Sequence, residues 1–236
     1  MTKRDTLISR EENLAMFDDI AKRYDLMNRV ISLGLDRSWR KTAVQSLAPT
    51  DDGHYLDIGC GTADLGLDIL KVAPAARIVG IDPSLGMLKA GLRKVQDRAC
   101  EEKISLTVGD ATRLPFRDAS FDGIILGFVI RNVEDRLAAL KEMHRVLNPG
   151  GRLVILELGV PANRALRLFF HLHTHTLVPL SAKLFTEKGA YDYLIRSVEV
   201  FPPPQAFLEF MDAAGFVRTA STPLTFGAVN LFTGER

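Results

Sequence analysis

Cysteine is scarce in this chain: Cys60 and Cys100 are the only two, and no CxxC spacing links them. A disulfide framework and a cysteine-based zinc site are excluded on that ground, and a reducing, cytoplasmic setting is expected. Net charge is nearly absent as well, at +1 from 30 Lys and Arg against 29 Asp and Glu. No basic excess offers a footprint to a polyanion, so no nucleic-acid partner is expected. Nowhere does an apolar run reach the length of a membrane span. The first fifteen residues, MTKRDTLISREENLA, have no apolar core of the kind a signal peptide needs. The most apolar region, residues 165–184, is interrupted by His171, His173, His175 and Pro179. Only His171 and His175 would share a helix face, with no cysteine or carboxylate beside them, so no metal site is expected.

What is present reads as a globular core, 47% hydrophobic and 25% charged. Residues 11–47 carry an apolar stripe at spacings of three and four, through Leu14, Phe17, Ile20, Ala21, Tyr24 and Met27. A break at Ser32-Leu33-Gly34 separates a second helix bearing Trp39, Val44 and Leu47. From His54 the pattern alternates: YLDIG, RIVGID, ISLTVGD, FDGIILGF and RLVILEL predict strands, with helices over 64–72, 84–98 and 135–146. Such alternation implies a parallel sheet covered on both faces. Asn148-Pro149-Gly150-Gly151 predicts a tight turn into the fifth strand. Helices are then expected near 162–179, 187–200 and 204–214, the last closed by Gly215. Two final strands, joined by a turn at Thr222-Pro223, complete the chain.

The expected fold is therefore α/β: a doubly wound, mostly parallel seven-stranded sheet. An N-terminal helical segment precedes it, and a helical insert comes before the last two strands. We expect one domain over 1–236, with a helical lid at 11–48, a ligand-binding core at 54–159, an insert at 160–214 and a closing hairpin at 215–236. Ligands of such sheets bind beyond the carboxyl ends of the strands.

After the first strand comes Asp57-Ile58-Gly59-Cys60-Gly61-Thr62-Ala63-Asp64. Glycines 59 and 61 allow a sharp turn and close approach of a ligand. A dinucleotide loop wants a third small residue where Asp64 stands; a carboxylate there repels a pyrophosphate and suits a cation. The second strand ends at Asp82, about twenty residues after Gly61, where an acid accepts both hydroxyls of a ribose. The alternative is that Asp82 caps the helix opening at Pro83-Ser84. The third strand ends Gly109-Asp110-Ala111, an acid with backbone amides beside it that could read an adenine. Together these describe a nucleoside with a cationic tail and no phosphate, which matches S-adenosylmethionine (SAM).

Several segments carry a family resemblance. YLDIGCGTADL, GIDPSLGMLKAG, GDATRLPF and RVLNPGGRLVILEL resemble the motifs of class I SAM-dependent methyltransferases, a Rossmann-like superfamily. FDDIAKRYDLMNRVISLGLDRSWR, RNVEDRLAALKEMHRVLNPGG, YDYLIRSVEVFP and AGF resemble the ubiquinone/menaquinone biosynthesis (UbiE-type) C-methyltransferases, over about residues 16–232. The resemblance implies methylation of a ring carbon in a polyprenylated benzoquinol or naphthoquinol. It implies SAM contacts at Thr62, Asp82, Asp110 and Ala111 with the glycine loop Asp57, Gly59 and Gly61. Three places depart from the family pattern: Gly127 where serine is frequent, LELG for LEFS, and AVNLFTGER in place of a histidine-containing strand and basic tail.

The fourth strand, IILGFVI, runs into Arg131-Asn132. A quinol carbon becomes a better nucleophile as its neighbouring hydroxyl loses a proton, and a free phenol titrates near pH 10. By analogy with the family's water-relayed deprotonation, Arg131 would stabilise the oxyanion, Asn132 orient a water, and Asp64 accept the proton. The bland alternative makes Asn132 and Asp135 a capping box for the next helix. Phe17 and Tyr24 are expected to line a pocket for a lipophilic quinol. Peripheral contact with the inner face of a membrane follows from such a substrate, and a homodimer is allowed for. Three other readings stay open: a SAM enzyme for a sterol or small phenol, a non-catalytic SAM-fold scaffold, and an NAD-dependent oxidoreductase, against which Asp64 speaks.

Overall fold

The computed structural model describes residues 9–161 and 188–236. The helix expected near 162–179 and the three histidines lie outside that part. Helices α1 (Arg10–Ile20), α2 (Tyr24–Ile31) and α3 (Asp36–Leu47) come first. Ser9 and Glu12 close a reciprocal capping box that starts α1, with bonds of 2.7 and 3.2 Å. The α2–α3 junction turns through left-handed Leu33 (φ 53°) and Gly34 (φ 80°). On α3, Trp39, Ala43, Val44 and Leu47 fall on one stripe and are buried.

The alternating part follows: β1 (His54–Ile58), α4 (Asp64–Val72), β2 (Arg77–Asp82), α5 (Leu85–Asp97), β3 (Ile104–Val108), β4 (Phe121–Gly127), α6 (Arg136–Val146) and β5 (Leu147–Leu158). Then come α7 (Lys188–Glu199), α8 (Pro204–Ala213), β6 (Val217–Leu224) and β7 (Val229–Glu235). The seven strands lie in the order β3-β2-β1-β4-β5-β7-β6, with β7 antiparallel to both neighbours and the rest parallel. This is the expected doubly wound sheet.

Side chains alternate across the sheet and fill two cores. Ile124 and Leu126 pack with Leu140, Met143, Phe207 and Phe232 on one face. Ile125 and Val154 pack with Trp39, Leu47 and Leu67 on the other. Each fully buried aliphatic side chain contributes roughly 1.5–3 kcal/mol, and a one-residue slip would turn every one of them over. The register is therefore strongly held, and it pairs Ile58 with both Ile81 and Leu126. The chain leaves β1 toward β2 and β3, then returns to β4 on the other side. That reversal opens a crevice at the carboxyl ends of β1 and β4.

Two expected turns are corrected. Thr222 and Pro223 lie inside β6, opposite Leu231 and Asn230, and the turn falls at Thr225–Gly227. Because β6 is an edge strand, a proline can sit there without breaking a ladder on both sides. Asn148–Gly151 is a bulge within β5: Phe121 faces Leu147 but Gly123 faces Arg152. Gly150, at φ 79°, makes the kink, and the Arg236 backbone pairs with Gly150 and Gly151. Among the described residues, no helix is long and apolar enough to cross a membrane.

Helix α1 docks on the start of α5 through one carboxylate. Asp18 Oδ1 accepts from Ser84 Oγ at 2.5 Å and from the Gly86 amide at 2.7 Å, where the helix dipole also favours an anion. A Cβ on Gly86 would stand 2.8 Å from Asp18 Oδ1 and 2.9 Å from its Cα. Gly86→Ala should therefore lift α1 while sparing the sheet. Hydrogen exchange should quicken across residues 10–20 and stay unchanged in β4 and β5; unaltered exchange in α1 would refute the docking argument.

Candidate active site

A cleft of about 1350 Å³ occupies the crevice. Single small-molecule sites run to ~1000 Å³, so this one has room for two ligands side by side. Its floor is the loop after β1. Gly59 and Gly61 both have left-handed backbone, at φ 64° and 52°. A Cβ at Gly59 would collide with Val129 at 2.4 Å, whereas one at Gly61 would meet only Gly59 O at 4.0 Å. The space over Gly61 is a cradle that a side chain would fill.

Asp82 and Asp110 border the same cleft with Ala111. The Gly61 amide donates to Asp82 Oδ2 at 2.9 Å and the Ser84 amide to Oδ1 at 2.8 Å, so Asp82 ties the loop to the end of β2. Burial raises its pKa, those two amides lower it, and neighbouring Asp18 raises it again. The capping role weighed for Asp82 belongs to Ser84, whose hydroxyl accepts from Met87 N. Asp110 Oδ1 accepts from the amide and hydroxyl of Thr112 at 2.8 and 2.7 Å, which holds the carboxylate in a short turn.

Asp57 lies beneath the loop, fully buried. One oxygen accepts from Gly66 N at 3.2 Å, and the other is the only buried side-chain N or O atom without a hydrogen bond among the described residues. Burial pushes its pKa up to about 7, with Asp82, Asp64 and Asp68 adding repulsion against the Gly66 bond.

The opposite wall follows β4. A 3-10 turn, Ile130–Asn132, presents Arg131 and Asn132 to the cleft. Arg131 is buried, and its Nη1 pairs with Glu157 Oε1 at 2.9 Å while its backbone amide donates to Oε2 at 3.1 Å. Its guanidinium also donates to Phe128 O and to Ser197 Oγ. None of these bonds takes Nη2. Asn132 Oδ1 accepts from Tyr193 Oη at 2.9 Å. The expected capping box is not formed: Asp135 itself caps α6 by accepting from Ala138 N. Phe17 and Tyr24 close the cleft from the lid, edge to face at 6.3 Å. Burial raises the Tyr24 phenol, while Asn28 and the charge of Arg131 pull it back.

Two expected site residues face elsewhere. Asp64 pairs with Lys94 Nζ at 2.6 Å and Arg40 at 3.2 Å, in a neighbouring polar basin. Those cations hold its pKa down against burial. The expectation that it accepts the substrate proton is corrected, because its carboxylate is taken by Arg40 of the lid and Lys94 of α5. Thr62 Oγ1 donates to Asp25 at 2.6 Å and accepts from Lys94 at 2.8 Å, so its hydroxyl joins α2 to α5. A Cβ at Gly127 would stand 2.9 Å from Leu65 Cδ1, so a serine there would need the Leu65 side chain to shift.

Sequence reasoning missed Glu157, Tyr193 and Ser197. Glu157 had a readable signal: it is the one acid inside RLVILEL, and a buried acid needs a partner. Tyr193 and Ser197 lie on a helix whose direction the pattern cannot give.

Comparisons with known proteins agree with this geometry. Residues 6–236 match the ubiE/COQ5 methyltransferase family. The chain is 40% identical over 222 residues to the ubiquinone/menaquinone biosynthesis C-methyltransferase UbiE of Geobacter sulfurreducens, covering 94% of this chain and 87% of that one. It is 41% identical over 220 residues to the demethylmenaquinone methyltransferase of Roseiflexus sp. strain RS-1, covering 93% and 91%. A solved SAM-dependent methyltransferase from Thermotoga maritima shares the fold, with a TM-score of 0.64, 20% identity and coverage of 94% and 98%.

Asp57 carries a pH signature. Its folded pKa is raised to about 7, well above an ordinary aspartate, so its contribution to stability is fully present below the unfolded value and is lost as pH rises through the folded one. The ligand-free protein should melt at falling temperature from pH 5 to 8, and Asp57→Asn should flatten that slope. Parallel melting curves for the two proteins would overturn the assignment.

Proposed function

Because the chain belongs to the ubiE/COQ5 methyltransferase family and is a SAM-dependent C-methyltransferase of quinone biosynthesis, we propose that its acceptor is a polyprenylated quinol, demethylmenaquinol or a related benzoquinol. The ring would lie between the glycine floor and the Arg131–Asn132 wall. The observation that carries this reading is a buried arginine, anchored on Glu157, facing an acid-bordered cradle across a cleft large enough for two ligands.

SAM supplies an electrophilic methyl group on a sulfonium. The residues that would hold it are Gly59, Gly61, Asp82, Asp110 and Ala111: the open space over Gly61 accepts a ligand backbone, and the flanking carboxylates suit hydroxyls and positive charge. Asp57 and Thr62 support that floor from below rather than from its surface.

On the other wall, Arg131 is the proposed stabiliser of the quinol oxyanion. A phenol that titrates near pH 10 in water ionises more easily beside a fixed cation. Glu157 offsets part of the arginine's charge but is held by Arg131 Nη1 and two backbone amides, which leaves Arg131 Nη2 outside those bonds as the N–H donor to the oxyanion. With Tyr193 bound to its Oδ1, Asn132 keeps its Nδ2 as a donor for the ring hydroxyl or a water. The proton leaves to that water. Phe17 and Tyr24 exclude bulk solvent, which strengthens every charge interaction inside. A polyprenyl tail resides in a bilayer, so peripheral contact with the inner face of the cytoplasmic membrane belongs to the same proposal.

Mass spectrometry of quinones in a strain lacking this chain tests the substrate: a precursor lighter by one methyl should accumulate, and an unchanged quinone profile would reject it. Arg131→Ala should lower turnover by ~100-fold or more, but it also strands Glu157 at a cost of about 3–5 kcal/mol. The double change Arg131→Ala with Glu157→Gln should recover much of the melting temperature and none of the turnover. Recovery of both would show that Arg131 acts only as a brace.

A further inference from the structure

The α2–α3 junction and the β6–β7 turn present large apolar side chains to solvent. Leu33 is 70% exposed and Phe226 76%, with Leu26 and Leu35 also exposed. Leu33 and Phe226 both have left-handed backbone, at φ 53° and 58°, which bulky residues rarely adopt. Nothing gained in the core accounts for holding two exposed apolar side chains that way. The two loops are neighbours: Trp39 Nε1 donates to Thr225 Oγ1 at 2.8 Å, and Leu35 lies one turn before Trp39 on the same side of α3. Trp39 also packs edge-on against Phe128 at 6.2 Å, and Phe128 borders the cleft.

On the other flank of α3 lies a polar basin of about 350 Å³ bordered by Arg29, Arg37, Arg40, Lys71 and Arg98, with Asp64 and Asp68 as its only carboxylates. Those two acids are engaged by Arg40, Lys71 and Lys94, and Asp36 is buried on Arg40. The basin therefore keeps a surplus of positive charge. Arg29 on α2 and Arg37 on α3 flank the junction that carries Leu33.

We propose that these two loops form a membrane-docking surface for an anionic bilayer. Leu33 and Phe226 enter the acyl boundary, and Arg29, Arg37 and Arg98 meet the headgroup phosphates. An apolar prow flanked by arginines is what an interfacial segment needs, because apolar burial and headgroup attraction add. Single Trp39 and Phe128 rings separate this surface from the cleft, so a quinol in the bilayer would have a short apolar path inward. The purpose of the surface rests on the lipophilic acceptor proposed above; its geometry does not.

The test is flotation of the full chain with vesicles of phosphatidylcholine alone or with a third phosphatidylglycerol. The wild type should float with the mixed vesicles, less with the neutral ones, and less in high salt. Leu33→Asn with Phe226→Asn should cut binding by about fivefold or more, since asparagine tolerates the left-handed backbone and the fold is kept. Arg29→Ala with Arg37→Ala should remove the preference for the anionic lipid. Both double variants should methylate a water-soluble, short-tailed demethylquinol at the wild-type rate. Wild-type binding by the first variant, or no flotation of the wild type, overturns the docking surface. Vesicle binding without methylation of any quinol upholds docking and rejects the quinol reading instead.

Discussion

The pair between Arg131 and Glu157 is the constraint on which the cleft depends. Glu157 is completely enclosed, on a strand whose neighbours are aliphatic. An unpaired carboxylate there would cost several kcal/mol, so the acid dictates that a cation comes to it. That cation belongs to the turn after β4, and the bond to its own backbone amide fixes the turn as well as the side chain. Through Phe128 O and Ser197 the same guanidinium reaches β4 and α7. One interaction thus fixes the turn after β4 against β5 and α7, and leaves Nη2 outside those bonds.

The lid is held on different terms. Helix α2 has no buried residue, and α1 meets α5 through Asp18 rather than through an apolar face. Lys94 bridges Asp25 and Asp64, and Arg40 gathers Asp36, Asp64 and Asp68. Part-exposed pairs of this kind contribute little each and weaken with salt. The contrast with the aliphatic sheet is large: the core cannot shift register, while the segment over the cleft is attached by bonds that can exchange with water. A site that must admit a bulky apolar substrate and then exclude solvent needs that division.

Much of this was legible in the residues. Alternating apolar runs give the parallel sheet, because buried strands must be continuous in apolar character. The acids at 57, 82 and 110 fall at or near the carboxyl ends of β1, β2 and β3, so topology alone sends them to one edge. What could not be read is which way a side chain turns once there. Asp64 follows the glycine loop in sequence but begins α4, and the helix carries its carboxylate round to Lys94 and Arg40. Pro223 looked like a turn because proline breaks most strands; an edge strand is where it does not. Gly150-Gly151 looked like a turn for the same local reason, until pairing with the C-terminus made it a bulge. Glu157 was readable as an oddity, but its partner lies 26 residues away and only the sheet brings them together.

Helix α2 and the junction after it connect the two functional surfaces. Tyr24 at its start borders the cleft, while Leu26 and Arg29 face outward and Leu33 forms the exposed tip beyond its end. The helix is eight residues long, about 12 Å at 1.5 Å per residue, so its cleft end and its outer tip lie close together. Its first turn is held by the burial that raises the Tyr24 phenol and by the bonds of Asp25 to Thr62 and Lys94. On the docking proposal, contact at the outer tip would act on the same short helix that carries Tyr24, against the polar bonds of Asp25 and Lys94.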